Sequence, residues 1–290
     1  MPELPEVETI RRALENRALG KKITNIHIRN YNLRRCVRED LTAQIMHACF
    51  SNFRRRGKYL MCDLDNQMTL LIHFGMSGII RFEPAHINHA PFKHDHVIIT
   101  LGDNLRMIYH DPRRFGFIEC LEQERVATDP SLVSLGPEPL SKDFMPSDFY
   151  GTLRGRGAPI KNVLLDQTVL AGLGNIYACE ALFEAEINPK HKACRLGKKR
   201  VAVLHSKIRD VLERAVKAGG SSLKDYRQAD GSPGYFQHQF CVYNKAGFPC
   251  PGCVCQARLK SVEENMQEKR GIRKITQSGR STFYCPVRQS

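Results

Sequence analysis

The stretch KYLMCDLDNQMTLLIHFG, residues 58–75, holds two short apolar runs separated by Asp65 and Asn66. Each run has strand length, and an Asp-Asn pair between such runs predicts a tight hairpin turn. The pattern recurs on both sides. ITNIHI (23–28) comes before it, while HVIITLGD (96–103), NLRMIYH (104–110) and FGFIECL (115–121) follow, with Asp103 and Asn104 marking a second turn. These runs predict an antiparallel β-sandwich or barrel. It carries a helix at the start of the chain, where Val7, Ile10 and Leu14 share one face and Gly20 supplies the stop.

Beyond Leu121 the pattern changes. Pro130, Gly136, Pro137, Pro139 and Pro146 interrupt any periodicity between Asp129 and Pro146, which reads as a linker. From about Phe149 to Leu223 the period is helical, as in Ile160, Val163 and Leu164 and then Ile176, Ala181 and Leu182. Between these lies AGLGN (171–175), where Asn175 is placed to cap a helix over 176–186 and the free amides suit a DNA phosphate. A further helix, about Lys198 to Ala218, ends at Gly219 and Gly220. The chain is therefore expected to be an α+β protein of several domains: an N-terminal β-sandwich (1–130), a linker (131–148), a helical domain (149–236) and a C-terminal cysteine-bearing hairpin (237–290).

Charge narrows the function. The 290 residues carry a formal net charge of +14. Residues 1–150 hold 20 Lys and Arg against 19 Asp and Glu, and residues 151–290 hold 24 against 11, so nearly all the excess lies in the second half. Such asymmetry points to a polyanion, and nucleic acid suits it better than a membrane because no basic amphipathic helix has a large aromatic face. No run approaches the roughly 20 apolar residues of a membrane span, and PELPEVETIRR is too charged for a secretory signal, so a cytoplasmic protein is expected. Seven of the 11 cysteines are scattered singly and read as reduced structural thiols.

Several residues carry potential chemistry. With Met1 removed, Pro2 presents a secondary amine whose ordinary pKa of about 7.7 to 8.0 leaves an appreciable fraction nucleophilic near neutrality. Glu3 beside it can move protons, although Pro5, Glu6 and Glu8 also suit a plain helix start. Arg54, Arg55, Arg56 and Lys58 could line a phosphate-facing edge or simply protect an edge strand. HFGMSG (73–78) and DPRRFG (111–116) each set an apolar side chain, Met76 or Phe115, in a glycine-bounded turn, the second beside Arg113 and Arg114. An apolar pair beside cations is what a wedge into a base stack requires. Cys250 and Cys253 have the spacing of half a four-cysteine zinc site, with Cys285 further on. Arg288, three residues after Cys285, cannot ligate, which leaves Cys255 as a spare thiolate. The charge-mixed stretch from Ala257 to Ser278 reads mostly as a solvated insertion.

MPELPEVET, RRRGKYL, HFGMSG, KHDHV, DPRRFG, LGPEPL, LAGLGNIYACEALF, DGSPGYF and SGRSTFYC, in that order, resemble the bacterial formamidopyrimidine-DNA glycosylases almost end to end. MPELPE, rather than MPEGPE, favours the branch directed at oxidised purines. The resemblance implies a β-sandwich, a helix-two-turn-helix domain and a zinc finger, acting on double-stranded DNA containing oxidised bases or abasic sites, as a monomer without a catalytic cofactor. It implies Pro2 as nucleophile, Glu3 as proton donor, Lys58 as the lysine assisting β-elimination and Arg280 as the arginine of δ-elimination. Met76, Arg113 and Phe115 match residues filling the gap left by a flipped base. His94, Arg156, Lys161 and Asn175 match positions facing DNA, with Gly157 where many relatives carry a cation. One Zn2+ would be held by Cys250, Cys253 and Cys285, the fourth family ligand being replaced by Arg288. Alternatives are the pyrimidine-directed relative and a DNA-binding descendant without activity.

Overall fold

Strands β1 (Ile23–Ile28), β2 (Phe50–Arg56), β3 (Tyr59–Leu64), β4 (Met68–His73), β5 (Ile79–Pro84), β6 (Asp95–Leu101), β7 (Leu105–His110) and β8 (Phe117–Glu122) build the first part of the computed structural model. It describes residues 2–87, 90–222, 232–253 and 271–289. The strands form two four-stranded antiparallel sheets, in the orders β1-β6-β7-β5 and β2-β3-β4-β8. Their alternating inward residues make one core: Val97, Ile99 and Met107 from one sheet, Leu60, Leu70 and Ile118 from the other. Helix α1 (Leu4–Ala18) adds Val7, Ile10, Leu14 and Ala18, all fully buried. Burying a Val, Leu or Ile side chain stabilises by about 1.5 to 3 kcal/mol, so this face fixes the helix to the sandwich.

Strands β2 and β5 lie outside the apolar runs, β2 being the edge strand that Arg54, Arg55 and Arg56 could protect, and the turns differ in kind. Asp65–Gln67 and Gly102–Asn104 are three-residue loops ending in left-handed residues, Gln67 (φ 65°) and Asn104 (φ 58°), rather than two-residue turns. The two-residue turn lies at Gly57 and Lys58, between β2 and β3, with Gly57 at φ 57°. Glycine at the first central position suits a hairpin of this length.

The chain divides into two compact units, Met1–Ser134 with Ala215–Gln237, and Leu135–Arg214 with His238–Ser290. Short helices α2 (Leu41–Ile45), α3 (Gln123–Val126) and α4 (Pro130–Val133) belong to the first. The second holds α5 (Pro146–Arg154), α6 (Ile160–Leu165), α7 (Asn175–Glu184) and most of α8 (Lys198–Lys217), then the hairpin β9 (Arg273–Gln277) and β10 (Arg280–Tyr284). Residues 135–145, read as linker, are held down within this unit. Arg209 donates to the carbonyls of Pro139 and Ser141 at 3.0 and 2.7 Å, and the Phe144 ring lies 4.4 Å from that of His205. The N-cap of α7 is Gly174, and Asn175 is its first helical residue, not its cap. No helix among the described residues is long and apolar enough to cross a membrane.

Candidate nucleic-acid and catalytic site

In the first unit, Pro2 and Glu3 are buried at the head of α1. Glu3 is the N-cap, and a capping box joins it to Glu6, whose Oε2 accepts the Glu3 N–H at 2.9 Å. Glu6 also accepts the Ser221 N–H at 2.8 Å and its hydroxyl at 3.0 Å. One carboxylate thus fixes the residue after Pro2 and ties it to a segment more than 200 residues later. The sequence showed Glu6 only as a helix-dipole residue.

Lys58 occupies the β2–β3 turn with 8% of its surface exposed. His73, opposite Tyr59 on β4, packs 4.8 Å from the Tyr59 ring and accepts the Gly75 N–H on Nδ1 at 3.1 Å. Burial, reinforced by the charges of Lys58, Arg34 and Arg35, lowers its pKa to about 4, so it is neutral at pH 7. The arginines before Lys58 do not form a row of cations facing outward. Arg54 is paired with Asp63 at 2.6 Å and Arg55 with Glu8 at 3.2 Å. Burial pushes the Glu8 carboxyl up, but Arg11, Arg12 and Arg55 outweigh it and hold the group below its ordinary range.

The two glycine-bounded turns meet. A Cβ on Gly75 (φ 58°) would lie 2.3 Å from the Phe115 carbonyl carbon, and one on Gly116 would lie 2.4 Å from the His73 carbonyl oxygen. Only glycine permits this approach. Met76 and Phe115 remain 41% and 45% exposed, and the Arg113 guanidinium lies 4.6 Å over the Phe115 ring. Two large apolar side chains therefore stand in solvent beside a cation. His94 is partly exposed, with His110 and His96 rings 5.9 and 6.4 Å away. Desolvation and the charges of His110, Lys93 and His96 lower its pKa.

In the second unit, Arg280 follows the turn Ser278–Gly279, both left-handed at φ 46° and 72°, and is exposed. The hairpin is seated by α6 and α7. Lys161, fully buried, donates from Nζ to Thr282 Oγ1 at 2.7 Å and to the Ser281 carbonyl at 3.3 Å. Asn175 Nδ2 donates to the Ser281 carbonyl at 2.9 Å, and Asn162 Nδ2 to Ser278 Oγ at 2.9 Å. Lys161 therefore lies beneath the hairpin, not on a phosphate-facing surface. Arg156 is exposed and bonded to Asp166 at 3.2 Å, while Gly157 beside it faces open space.

Cys250, Cys253 and Cys285 place their sulfurs within 4.8 Å of one another, and Cys253 and Cys285 Sγ are 3.8 Å apart. Zinc–thiolate bonds of about 2.3 Å separate neighbouring sulfurs of a tetrahedron by about 3.8 Å, so three positions fit the ion. The fourth does not come from Arg288. Its Nε donates to Glu186 at 3.0 Å, its Nη1 to the Pro251 carbonyl at 3.1 Å, and its guanidinium covers the Phe183 ring at 4.8 Å. Cys255 and residues 257–270 of the expected insertion lie outside the described residues, and the end of that stretch forms strand β9, which is itself largely exposed. Glu180, missed in the sequence, accepts three backbone N–H groups, of Cys241, Val242 and Tyr243, at 2.7 to 3.0 Å and anchors the approach to the hairpin.

Known proteins share this arrangement. The family model described as the formamidopyrimidine-DNA glycosylase N-terminal domain matches residues 1–118, and that described as the formamidopyrimidine-DNA glycosylase H2TH domain matches residues 135–227. The chain is 45% identical to a formamidopyrimidine-DNA glycosylase of Roseobacter denitrificans, over 98% of both chains. It is 44% identical to one of Rhodospirillum rubrum, over 100% of both. Among solved structures, a Lactococcus lactis FPG variant bound to Fapy-dG-containing DNA superposes with a TM-score of 0.87 at 36% identity, covering 100% of both chains. The Lactococcus lactis Fpg bound to abasic-site DNA gives the same score and identity over 99% of both.

Proposed function

Because the chain belongs to the formamidopyrimidine-DNA glycosylase family, we propose that it excises oxidised purines, 8-oxoguanine and formamidopyrimidines, opposite cytosine in double-stranded DNA and then cleaves the strand at the abasic site. The observation that carries this is the head of α1, where Glu3 caps the helix directly after Pro2 and Glu6 holds the Glu3 amide. A secondary amine so placed reaches its target without fraying.

With Met1 removed, the Pro2 nitrogen attacks the sugar C1′ of a base turned out of the stack. The new N–C1′ bond forms as the glycosidic bond breaks, and the base leaves with the electron pair and takes up a proton, for which Glu3 is the carrier. The attached nitrogen then loses its proton, its lone pair expels O4′ from C1′ and O4′ takes up a proton, so the sugar ring opens to a positively charged imine, which acidifies C2′. Loss of a C2′ proton expels the 3′ phosphate, with Lys58 assisting, and a second elimination expels the 5′ phosphate, with Arg280 at the hairpin tip. Met76, Arg113 and Phe115 fill the vacated stack, and His94, Arg156 and Asn175 serve the DNA backbone. Cys250, Cys253 and Cys285 would hold a zinc ion, which would supply a structural cross-link at the hairpin.

Base release from duplexes containing 8-oxoguanine or thymine glycol tests the reading. Preference for 8-oxoguanine, abolished in Pro2→Gly, is expected. Preference for thymine glycol, or full activity of Pro2→Gly, contradicts it.

A further inference from the structure

Asp111 is fully buried, yet no chemistry is assigned to it above. Its two carboxylate oxygens take donors from both exposed turns and from β7. Oδ1 accepts the Ser77 hydroxyl at 2.5 Å and the Arg113 N–H at 3.3 Å. Oδ2 accepts the Gly116 N–H at 2.9 Å and the Tyr109 hydroxyl at 3.4 Å. The Asp111 backbone adds to this, its carbonyl meeting His96 Nε2 at 2.8 Å and the Arg114 N–H at 3.2 Å. The Ser77 hydroxyl closes the ring by accepting the Arg113 N–H at 3.1 Å.

Ser77 follows Met76, and Arg113 and Gly116 flank Phe115. One carboxylate thus holds the backbone on both sides of Phe115, at Arg113 and Gly116, and through the Ser77 hydroxyl the residue that follows Met76. A carboxylate without solvent is costly unless its lone pairs are satisfied, and here each oxygen has two donors. Retaining such a group in preference to an apolar one brings geometric definition more than stability.

We propose that Asp111 is a positioning residue that makes Met76, Arg113 and Phe115 a single rigid wedge, so that it governs opening of the base stack and not the chemistry at the sugar. The proposal rests on the functional reading above. The amide of Asp111→Asn presents hydrogens where the carboxylate accepts, so at least one of Ser77, Arg113 and Gly116 must turn away. The two turns then lose their common anchor while Pro2, Glu3 and Lys58 keep theirs.

The test compares two duplexes: one with 8-oxoguanine, which must be extruded from an intact stack, and one with a preformed abasic site, which needs no base extrusion. Single-turnover rates are measured for wild type and Asp111→Asn, with 2-aminopurine beside the lesion reporting stack opening. We expect Asp111→Asn to slow 8-oxoguanine removal and the 2-aminopurine signal by about tenfold or more, the equivalent of one lost charge-assisted hydrogen bond, while strand cleavage at the abasic site changes by less than about threefold. Equal loss on both duplexes, or no loss on either, overturns the proposal. Should Asp111→Asn fail to fold, Ser77→Ala removes one strut and keeps the charge; the same substrate split supports the proposal and its absence overturns it. A wild-type protein inactive on 8-oxoguanine but normal on abasic DNA would overturn the reading of the lesion itself, an outcome distinct from any change in the ratio between variants.

Discussion

The Lys161 ammonium, fully buried on α6, donates to Thr282 Oγ1 at 2.7 Å, two residues past Arg280. It also meets the Ser281 carbonyl, which Asn175 holds from α7. A lysine whose residue type suggests DNA contact therefore works within the protein, seating the hairpin. Lys161→Met should cost about 1 to 3 kcal/mol by leaving the buried Thr282 hydroxyl without its charged donor. It should also depress the second elimination more than base removal. Gel analysis of the cleaved strand reads this as accumulation of the β-elimination product. An unchanged product ratio would dissociate Lys161 from the placement of Arg280.

Gly157 lies beside exposed Arg156 and faces open space, without a left-handed backbone. Gly157→Lys should be accommodated and add one phosphate contact. DNA affinity should rise by about threefold near physiological salt, and the slope of log affinity against log salt should steepen by about 0.9. Titrations over a range of salt concentrations measure both.

Much of the sandwich is legible in the sequence because β3, β4, β6, β7 and β8 are continuous apolar runs. β2 is not, for two reasons. FSNFRRR ends in a charge run, and a register shift between Phe50 and Asn52 breaks the period of two that would have shown Phe50 and Phe53 facing inward. β9 escapes notice because it is largely exposed and owes its form to pairing with β10. Residue types in the site are equally visible, but their pairings are not. That Arg55 meets Glu8, or that Glu6 meets Ser221, depends on contacts across 47 and 215 positions, which local pattern cannot carry. Asp111 stands in DPRRFG, but only its hydrogen bonds in the fold show that it takes donors from both turns.

Arg288 joins the CxxC turn to the end of α7 through Pro251 and Glu186. Arg288→Ala should lower stability by about 1 to 2 kcal/mol and the melting temperature with it. Arg288→Cys should supply a fourth thiolate at the expected spacing. Zinc retained after dialysis against chelator should then exceed that of wild type, measured by elemental analysis. Equal retention would show that residue 288 is not directed at the three sulfurs.

His73 imposes a pH dependence. Its folded pKa is about 4 against an ordinary value of 6.5, so the unfolded chain takes up the proton first. Its contribution to stability is full above about pH 6.5 and is lost as the pH falls towards 4, by roughly 3 kcal/mol. His73→Phe keeps a ring but removes the titration and the acceptor for Gly75. The stability gap between wild type and variant, from urea unfolding, should shrink as the pH drops from 7 to 4. A gap independent of pH would contradict the assignment.

The nucleophile is tested most directly by incubating the protein with an 8-oxoguanine duplex in the presence of borohydride, which reduces an imine to a stable amine. A covalent protein–DNA complex is predicted, with the mass-spectrometric adduct on the peptide beginning at Pro2, and Pro2→Gly should lose base removal. Base release without trapping, or an adduct on a lysine with Pro2 unmodified, would contradict the account.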